Sequence, residues 1–376
     1  MKLDTKMIHG GVFGDPHTGA VSVPIYQVST YKQSKVGEHA GYEYSRTGNP
    51  TRDALEKLIA DVENGARGLA FSSGMAAIST LLSYFSQGDH IIIGDDVYGG
   101  TYRVITKVFT RLGLEASFVD TGDINAVKKA IKPHTRAIYM ETPSNPLLKV
   151  TDIKELSTLA KQAGLFLFVD NTFLTPYWQN PLDLGADAVL HSATKYLGGH
   201  SDVVAGLIVT KEEKFGEELH FLQNSIGGIL GPQDSWLLIR GMKTLGLRMK
   251  QHELNAQQIA KWLQNHDQIG RVYYPGLADH PDHHTAKTQA RGFGAIISFD
   301  VGSAEAADRL LEQTKYFTLA ESLGAVESLI SVPARMTHAS IPAERRAELG
   351  IVDGLVRISV GVEDVEDLIA DLDQAL

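Results

Sequence analysis

Three short stretches carry side chains whose types and spacing could do chemistry together. In His191-Ser192-Ala193-Thr194-Lys195-Tyr196-Leu197-Gly198-Gly199-His200 a single lysine stands between an apolar run and a glycine-rich turn. A lysine partly withdrawn from water binds its proton less tightly. Its amine is then a nucleophile toward an aldehyde and a base near neutral pH. Ser192 and Thr194 offer hydroxyls to a phosphate. Upstream, the apolar run Leu165–Val169 ends in Asp170-Asn171-Thr172. A carboxylate at the end of a buried strand is costly unless it is paired. A protonated aromatic ring nitrogen would pair with it, but so would a metal ion, and a helix cap is a third reading. In Phe71-Ser72-Ser73-Gly74-Met75-Ala76-Ala77-Ile78 the chain turns on two serines and a glycine into an alanine-rich helix. The free amides and positive dipole at such a start suit a phosphate, although a plain serine cap has the same signature. Finally, alternation in Leu355–Val360 sets Arg357 and Ser359 on one face of a strand, opposite three β-branched residues. A guanidinium in a buried sheet needs an anion, whereas on an edge strand it would face solvent.

The elements that must position these groups follow from the hydrophobic pattern. Apolar runs at Leu69–Phe71, His90–Gly94, Ala116–Val119, Ala137–Met140, Leu165–Val169, Ala188–Leu190 and Val203–Val209 alternate with amphipathic stretches. This predicts a mostly parallel, doubly covered sheet, with ligands at the C-terminal strand ends. One long helical pattern runs from Gln233 to Asn265. Beyond it, Ile296–Asp300, Ser328–Val332 and Leu355–Val360 alternate with helices and predict a smaller α+β unit. Residues 1–46, rich in Gly, His, Tyr and Ser, read as an arm laid on another surface. The expected division is arm 1–46, large domain 47–245 and C-terminal domain 246–376.

The 376 residues are an ordinary globular mixture with 43% hydrophobic and 21% charged side chains. A net charge of -10 and the lack of any basic run argue against nucleic acid and anionic membrane as partners. With no cysteine, disulfides, thiolate metal sites and a cysteine nucleophile are excluded. No apolar run has the length of a membrane span and the N-terminus lacks a signal-peptide core, so a cytoplasmic location is expected.

Taken in order, YSRTGNPT, FSSGMAAI, DDVYGGTY, ETPSNP, VDNTF and HSATKYLGGHSD resemble the cystathionine γ-lyase and γ-synthase family of Cys/Met-metabolism enzymes. The likeness continues through AESLGAVESLISVPARMTHAS and VRISVGVED, and so covers essentially the whole chain. It implies an α/β protein of the pyridoxal 5′-phosphate (PLP)-dependent transferase fold type I. It also assigns roles. Lys195 would bind the cofactor covalently, Asp170 would pair with its ring nitrogen, and Tyr98 would stack on the ring and exchange protons with substrate. Gly74, Met75, Ser192 and Thr194 would hold the phosphate. Tyr44 and Arg46 would reach the phosphate of a neighbouring subunit in a homo-oligomer, with a dimer of dimers expected. Arg357, Asn145 and the Ser322 backbone would bind the substrate α-carboxylate.

Within the family, Glu43 and Glu321 match acidic positions suited to the distal amino group of cystathionine. Gly100 stands where methionine γ-lyases carry a cysteine. The expected activity is therefore γ-elimination on L-cystathionine or L-homocysteine, followed by cystathionine γ-synthase and then β-lyase activity. A PLP-binding regulator would have lost Lys195 or Asp170. A nicotinamide oxidoreductase would need a glycine fingerprint after its first strand, which is missing. Two remaining features read as structural. His280-Pro281-Asp282-His283-His284 is expected to be an exposed turn, with no metal. The acidic run Glu363 to Asp373 is expected to be a solvated helix face.

Overall fold

The computed structural model describes residues 1–339 and 341–376. Helix α1 (Leu3–His9) opens the chain and buries Met7 in the main core. A two-stranded hairpin follows, β1 (Gln33–Lys35) with β2 (Glu38–His39), fully exposed along its length. The N-terminal segment is thus anchored at its start, and Val12 and Val23 also enter the core. Phe13, Val21 and Val36, by contrast, are exposed.

Helix α2 (Pro50–Glu63) is specified locally. The Asn49 side chain accepts the Thr51 and Arg52 amides, Pro50 occupies the first turn, and Asn64 closes the helix in the left-handed conformation. The larger sheet then contains β3 (Arg67–Phe71), β4 (His90–Gly94), β5 (Glu115–Val119), β6 (Thr135–Glu141), β7 (Phe166–Asp170), β8 (Ala188–Ser192) and β9 (Gly206–Thr210). Their order is β3-β9-β8-β7-β6-β4-β5. Strands β5, β4, β6, β7 and β8 pair in parallel, and β9 is antiparallel to both of its neighbours. Both faces are covered. Leu167 and Val169 enter one apolar core with Leu55 and Ile59 of α2, while Phe168 enters the opposite one with Ile93 and Leu81. Each such fully buried side chain contributes about 1.5–3 kcal/mol. This explains why these strands read as continuous apolar runs rather than as alternation.

The second sheet has β10 (Arg271–Tyr273), β11 (Ile296–Asp300), β12 (Thr318–Leu319), β13 (Leu329–Ser331) and β14 (Leu355–Ser359), in the order β10-β11-β14-β13-β12. It has its own apolar core, which includes Ile297, Phe299, Ile330 and Ile358. Strand β14 lies in its middle, and Arg357 pairs with Ser298 on one side and Ser331 on the other. The edge-strand reading of Arg357 therefore fails, and this arginine is 2% exposed.

Three expectations need correction. The helical pattern from Gln233 to Asn265 is two helices, Pro232–Met242 and Leu245–Gln264. They part where Gly241 lies directly against the Gly198 carbonyl and its own carbonyl takes a hydrogen bond from Arg248 Nη2 (2.8 Å). The segment around His280 is a tie rather than a free turn. His280 is buried, Asp282 Oδ2 accepts the Val150 amide (2.9 Å), and His283 Nδ1 pairs with the Pro275 carbonyl (2.8 Å). In the C-terminal helix Val365–Ala375, Asp371 is buried and accepts the amides of Lys315, Tyr316 and Phe317. The acidic run is thus not uniformly solvated: this carboxylate caps a loop.

Candidate active site

The C-terminal ends of β6, β7 and β8 open into a cavity of about 410 Å³. Its floor is set by strand register. Glu141 ends β6 directly beside Asp170, which ends β7, and Ser192 ends β8. Gly74 and Met75 enter from the start of helix α3 (Gly74–Leu82), where Ser73 Oγ caps the Ala76 amide (3.0 Å). A Cβ on residue 74 would approach Ser192 Oγ to 3.2 Å, so glycine keeps the helix start clear there. Thr194 and Lys195 project from the loop after β8, and Tyr98 stands at the mouth, just before helix α4 (Gly99–Lys107). Asn145 and Thr337 complete the side that meets the second sheet, which contributes Arg357 and the neighbouring Glu321 and Ser322.

The hydrogen bonds show what each group is prepared to do. Lys195 Nζ donates to Ser322 Oγ at 2.7 Å, and burial together with the Arg357 charge lowers its pKa to about 8. About a tenth is then free amine at pH 7 and about half at pH 8, far more than for an ordinary lysine. Asp170 Oδ1 accepts the Thr172 amide (3.0 Å) and hydroxyl, and Oδ2 accepts the Tyr139 hydroxyl (3.3 Å). Burial raises its pKa, and the Thr172 bonds oppose that rise. Arg357 Nη1 donates to Asn145 Oδ1 (2.9 Å) and Nη2 to the Ser322 carbonyl (3.0 Å). Its Nε is buried without a partner, and burial brings the guanidinium down to about 10. Ser322 itself has a φ of 105°, a strained value for a non-glycine residue that is characteristic of functional sites. The Ser322 carbonyl cannot donate to a carboxylate, so its contribution is to aim Arg357.

Most of the residues that the sequence pointed to meet here: Gly74, Met75, Tyr98, Asn145, Asp170 and Ser192 on the large-sheet side, then Thr194, Lys195, Glu321, Ser322 and Arg357. Three do not. Glu43 pairs with His39 (3.2 Å), Arg46 Nη1 donates to the Asn224 carbonyl (2.6 Å), and Tyr44 lies beneath the Arg46 guanidinium. All three are exposed and outside the cavity of their own chain. Glu141, Thr172 and Thr337 escaped the sequence reading. The signal for Glu141 was present, because it too is a carboxylate closing an apolar strand.

An orphaned Arg357 Nε, a weakly basic lysine, a supported carboxylate and a clear helix start fit a phosphorylated aromatic aldehyde and an amino-acid carboxylate side by side. Together with the sheet topology, this defines the class: a PLP-dependent enzyme of fold type I. Residues 4–376 match the family described as Cys/Met metabolism PLP-dependent enzyme, and the chain belongs to that family. It is 66% identical to the cystathionine gamma-lyase of Bacillus subtilis (strain 168) over 376 residues, covering 100% of this chain and 99% of that protein. It is 60% identical to the cystathionine beta-lyase of Lactococcus lactis subsp. cremoris (strain MG1363), covering 100% of this chain and 98% of that one. The crystal structure of cystathionine gamma-lyase from Lactobacillus plantarum complexed with L-serine superposes with a TM-score of 0.97. The two are 55% identical, and the match covers 100% of this chain and 98% of that one. Among the described residues, no helix is long and apolar enough to cross a membrane.

Proposed function

We propose that this enzyme performs γ-elimination on L-cystathionine, L-homocysteine or both, releasing a thiol from the γ-carbon. The observation that carries this reading is the arrangement of Lys195. Among the described residues, its amine hydrogen-bonds a neutral hydroxyl, that of Ser322, and forms no ion pair, and it stands in the same cavity as the Arg357 guanidinium and the Glu321 carboxylate. A γ-leaving group requires proton transfers at two successive substrate carbons, and a lysine that is not clamped by a carboxylate can serve both. The 66% identity to a protein named cystathionine gamma-lyase supports the same choice.

PLP, when bound, supplies an electron sink for charge developing at the substrate α-carbon. Every other role falls to the chain. Arg357 takes the α-carboxylate through its planar fork, aimed by Asn145 and the Ser322 carbonyl. Lys195 removes the α-proton and then moves protons at the β-carbon. Asp170 would pair with the cofactor ring nitrogen, its charge supported by the Thr172 amide and hydroxyl. Gly74, Met75, Ser192 and Thr194 would hold the phosphate, and Tyr98 would cover the ring and protonate the departing thiolate. Tyr44 and Arg46 serve the phosphate of a second copy of the chain, so the working unit is a dimer or a dimer of dimers. Glu43 reaches a distal amine only from that second copy, whereas Glu321 does so from its own chain.

Incubation with cystathionine should release cysteine, 2-oxobutyrate and ammonia. Pyruvate and homocysteine as the main products would assign β-elimination instead, and cystathionine formed from O-acylhomoserine plus cysteine would assign γ-synthase activity. Glu321→Gln should lower kcat/KM for cystathionine by a few-fold to about tenfold, because the carboxylate sits at a wet cavity mouth. Homocysteine, which has no distal amine, should be nearly unaffected, and equal losses on both substrates would remove Glu321 from amine recognition.

A further inference from the structure

Glu141 has no part in the roles given above, yet it stands beside Asp170, whose charge the site depends on. It closes β6 in direct register with Asp170 on β7, one strand spacing away. It lines the main cavity and also a second, very small cavity of about 10 Å³ behind it, no larger than one water needs. That second cavity is bounded by Asp96, Ser144 and Lys149. Asp96 is 3% exposed, with Oδ2 accepting the Ser144 hydroxyl (2.6 Å) and Oδ1 left without a partner. Glu141 thus stands between the two cavities, with Asp170 lining the main one and Asp96 the small one.

Only one of the two registered carboxyls is equipped to carry charge. Asp170 accepts an amide and two hydroxyls. Glu141 Oε1 instead accepts the backbone amide of Tyr98 at 2.8 Å. Among the described residues, no lysine, arginine or histidine nitrogen forms an ion pair with Glu141, whereas Lys149 pairs with Asp95 and Asp120. The groups facing Glu141 are Asp170 from β7, Tyr139 from its own strand, Asp96 from the segment after β4 and, across the small cavity, Asp95, Asp120 and Lys149, the last already paired with those two carboxylates. A second negative charge here would oppose the one at Asp170. Burial first, then Asp170 and Asp96, push the Glu141 carboxyl well above its usual range, and the Tyr98 amide opposes that rise without cancelling it.

We propose that Glu141 is a positioning residue for Tyr98: an uncharged carboxyl that accepts the Tyr98 amide and so fixes the ring at the cavity mouth without competing with Asp170 for positive charge. The inference rests on the chain being a PLP enzyme and not on the choice between β- and γ-elimination, so the ketoacid assay cannot decide it. A neutral acceptor can be replaced by another. Glu141→Gln should therefore rescue most of the activity lost in Glu141→Ala, which is expected to fall about tenfold in kcat/KM with a shifted absorption band of bound cofactor. Infrared difference spectra of the apoproteins, wild type minus Glu141→Gln, provide a readout independent of turnover. At pH 8 they should show the carbonyl band of a protonated carboxylic acid. If Glu141→Gln is as impaired as Glu141→Ala, or if the difference spectrum shows carboxylate bands alone, the proposal is wrong. Should Glu141→Ala fail to fold, the glutamine variant and the infrared spectrum decide the matter by themselves.

Discussion

Lys195→Ala should abolish turnover and eliminate the absorption band of the lysine-bound cofactor, while some cofactor remains held through its phosphate. The loss of proton transfer alone is worth about 10²–10⁴-fold in rate, and the loss of covalent attachment adds to it. The expectation follows from geometry: Lys195 is the lysine that lines the cavity, and its Nζ lies 2.7 Å from Ser322 Oγ between the two sheets. The sign of the pH dependence follows from the lowered basicity. The unprotonated fraction grows as pH rises through about 8, so the rate at which apoprotein captures added cofactor should climb with pH and level off above that point. Stopped-flow absorbance measures this capture directly. A variant that kept the band and turned over within tenfold of wild type would remove Lys195 from the mechanism, and a capture rate that fell with pH would contradict the free-amine reading.

Asp170→Asn is expected to have the second largest effect. The substitution preserves shape and some hydrogen bonding but cannot carry the charge that stabilises a protonated ring nitrogen. Breaking a buried charge pair costs about 3–5 kcal/mol, or roughly 200- to 5000-fold in rate. Asp170 is already disfavoured as an anion by burial, and the Thr172 amide and hydroxyl oppose that cost. Three donors, the Thr172 amide and hydroxyl and the Tyr139 hydroxyl, thus favour the ionised form of this one carboxylate. The loss should fall mainly on kcat, with KM changing little, because the pair gains strength as charge develops during the reaction. Steady-state kinetics on cystathionine and homocysteine would measure the split. A fall of less than about tenfold on both substrates would mean that Asp170 is structural.

What could be read from the sequence divides along a physical line. Strands β4, β6, β7 and β8 were visible because both faces of the sheet are buried, which leaves uninterrupted runs such as Ile91-Ile92-Ile93 and Leu167-Phe168-Val169. Asp170 was visible because a charged residue at the end of such a run is conspicuous, and Lys195 because it is the single lysine between such a run and a glycine-rich turn. The same rule marks Glu141 at the end of β6, but there the chemistry depends on register with a neighbouring strand, which one segment cannot reveal. Long-range ties were equally hidden. Asp371 looked like any acidic residue on a helix until the loop at Lys315–Phe317 turned its amides toward it. His280-Pro281-Asp282 has the composition of a surface turn, yet Asp282 holds Val150, in the loop that carries Asn145. The break in the Gln233–Asn265 pattern depends on Gly241 meeting Gly198, a contact across 43 positions of chain. Arg357 was half legible: alternation gave its face, and only the sheet order put it on the central strand.

The placement of Glu43, Tyr44 and Arg46 outside their own cavity has a simple consequence. The groups proposed to hold a phosphate within one chain would all be neutral donors: the Gly74 and Met75 amides with the Ser192 and Thr194 hydroxyls, all of which line the cavity. A dianionic group held by neutral donors gains from a cation brought by a neighbour. The exposed N-terminal hairpin and the solvent-facing Arg46 are consistent with that division of labour.

The most direct measurement of the central claim is borohydride reduction of the holoenzyme, followed by proteolysis and mass mapping of the fixed pyridoxyl group. The account predicts the added mass on the peptide that contains Lys195 and on no other lysine. A pyridoxyl group fixed elsewhere, with Lys195 unmodified, would contradict it.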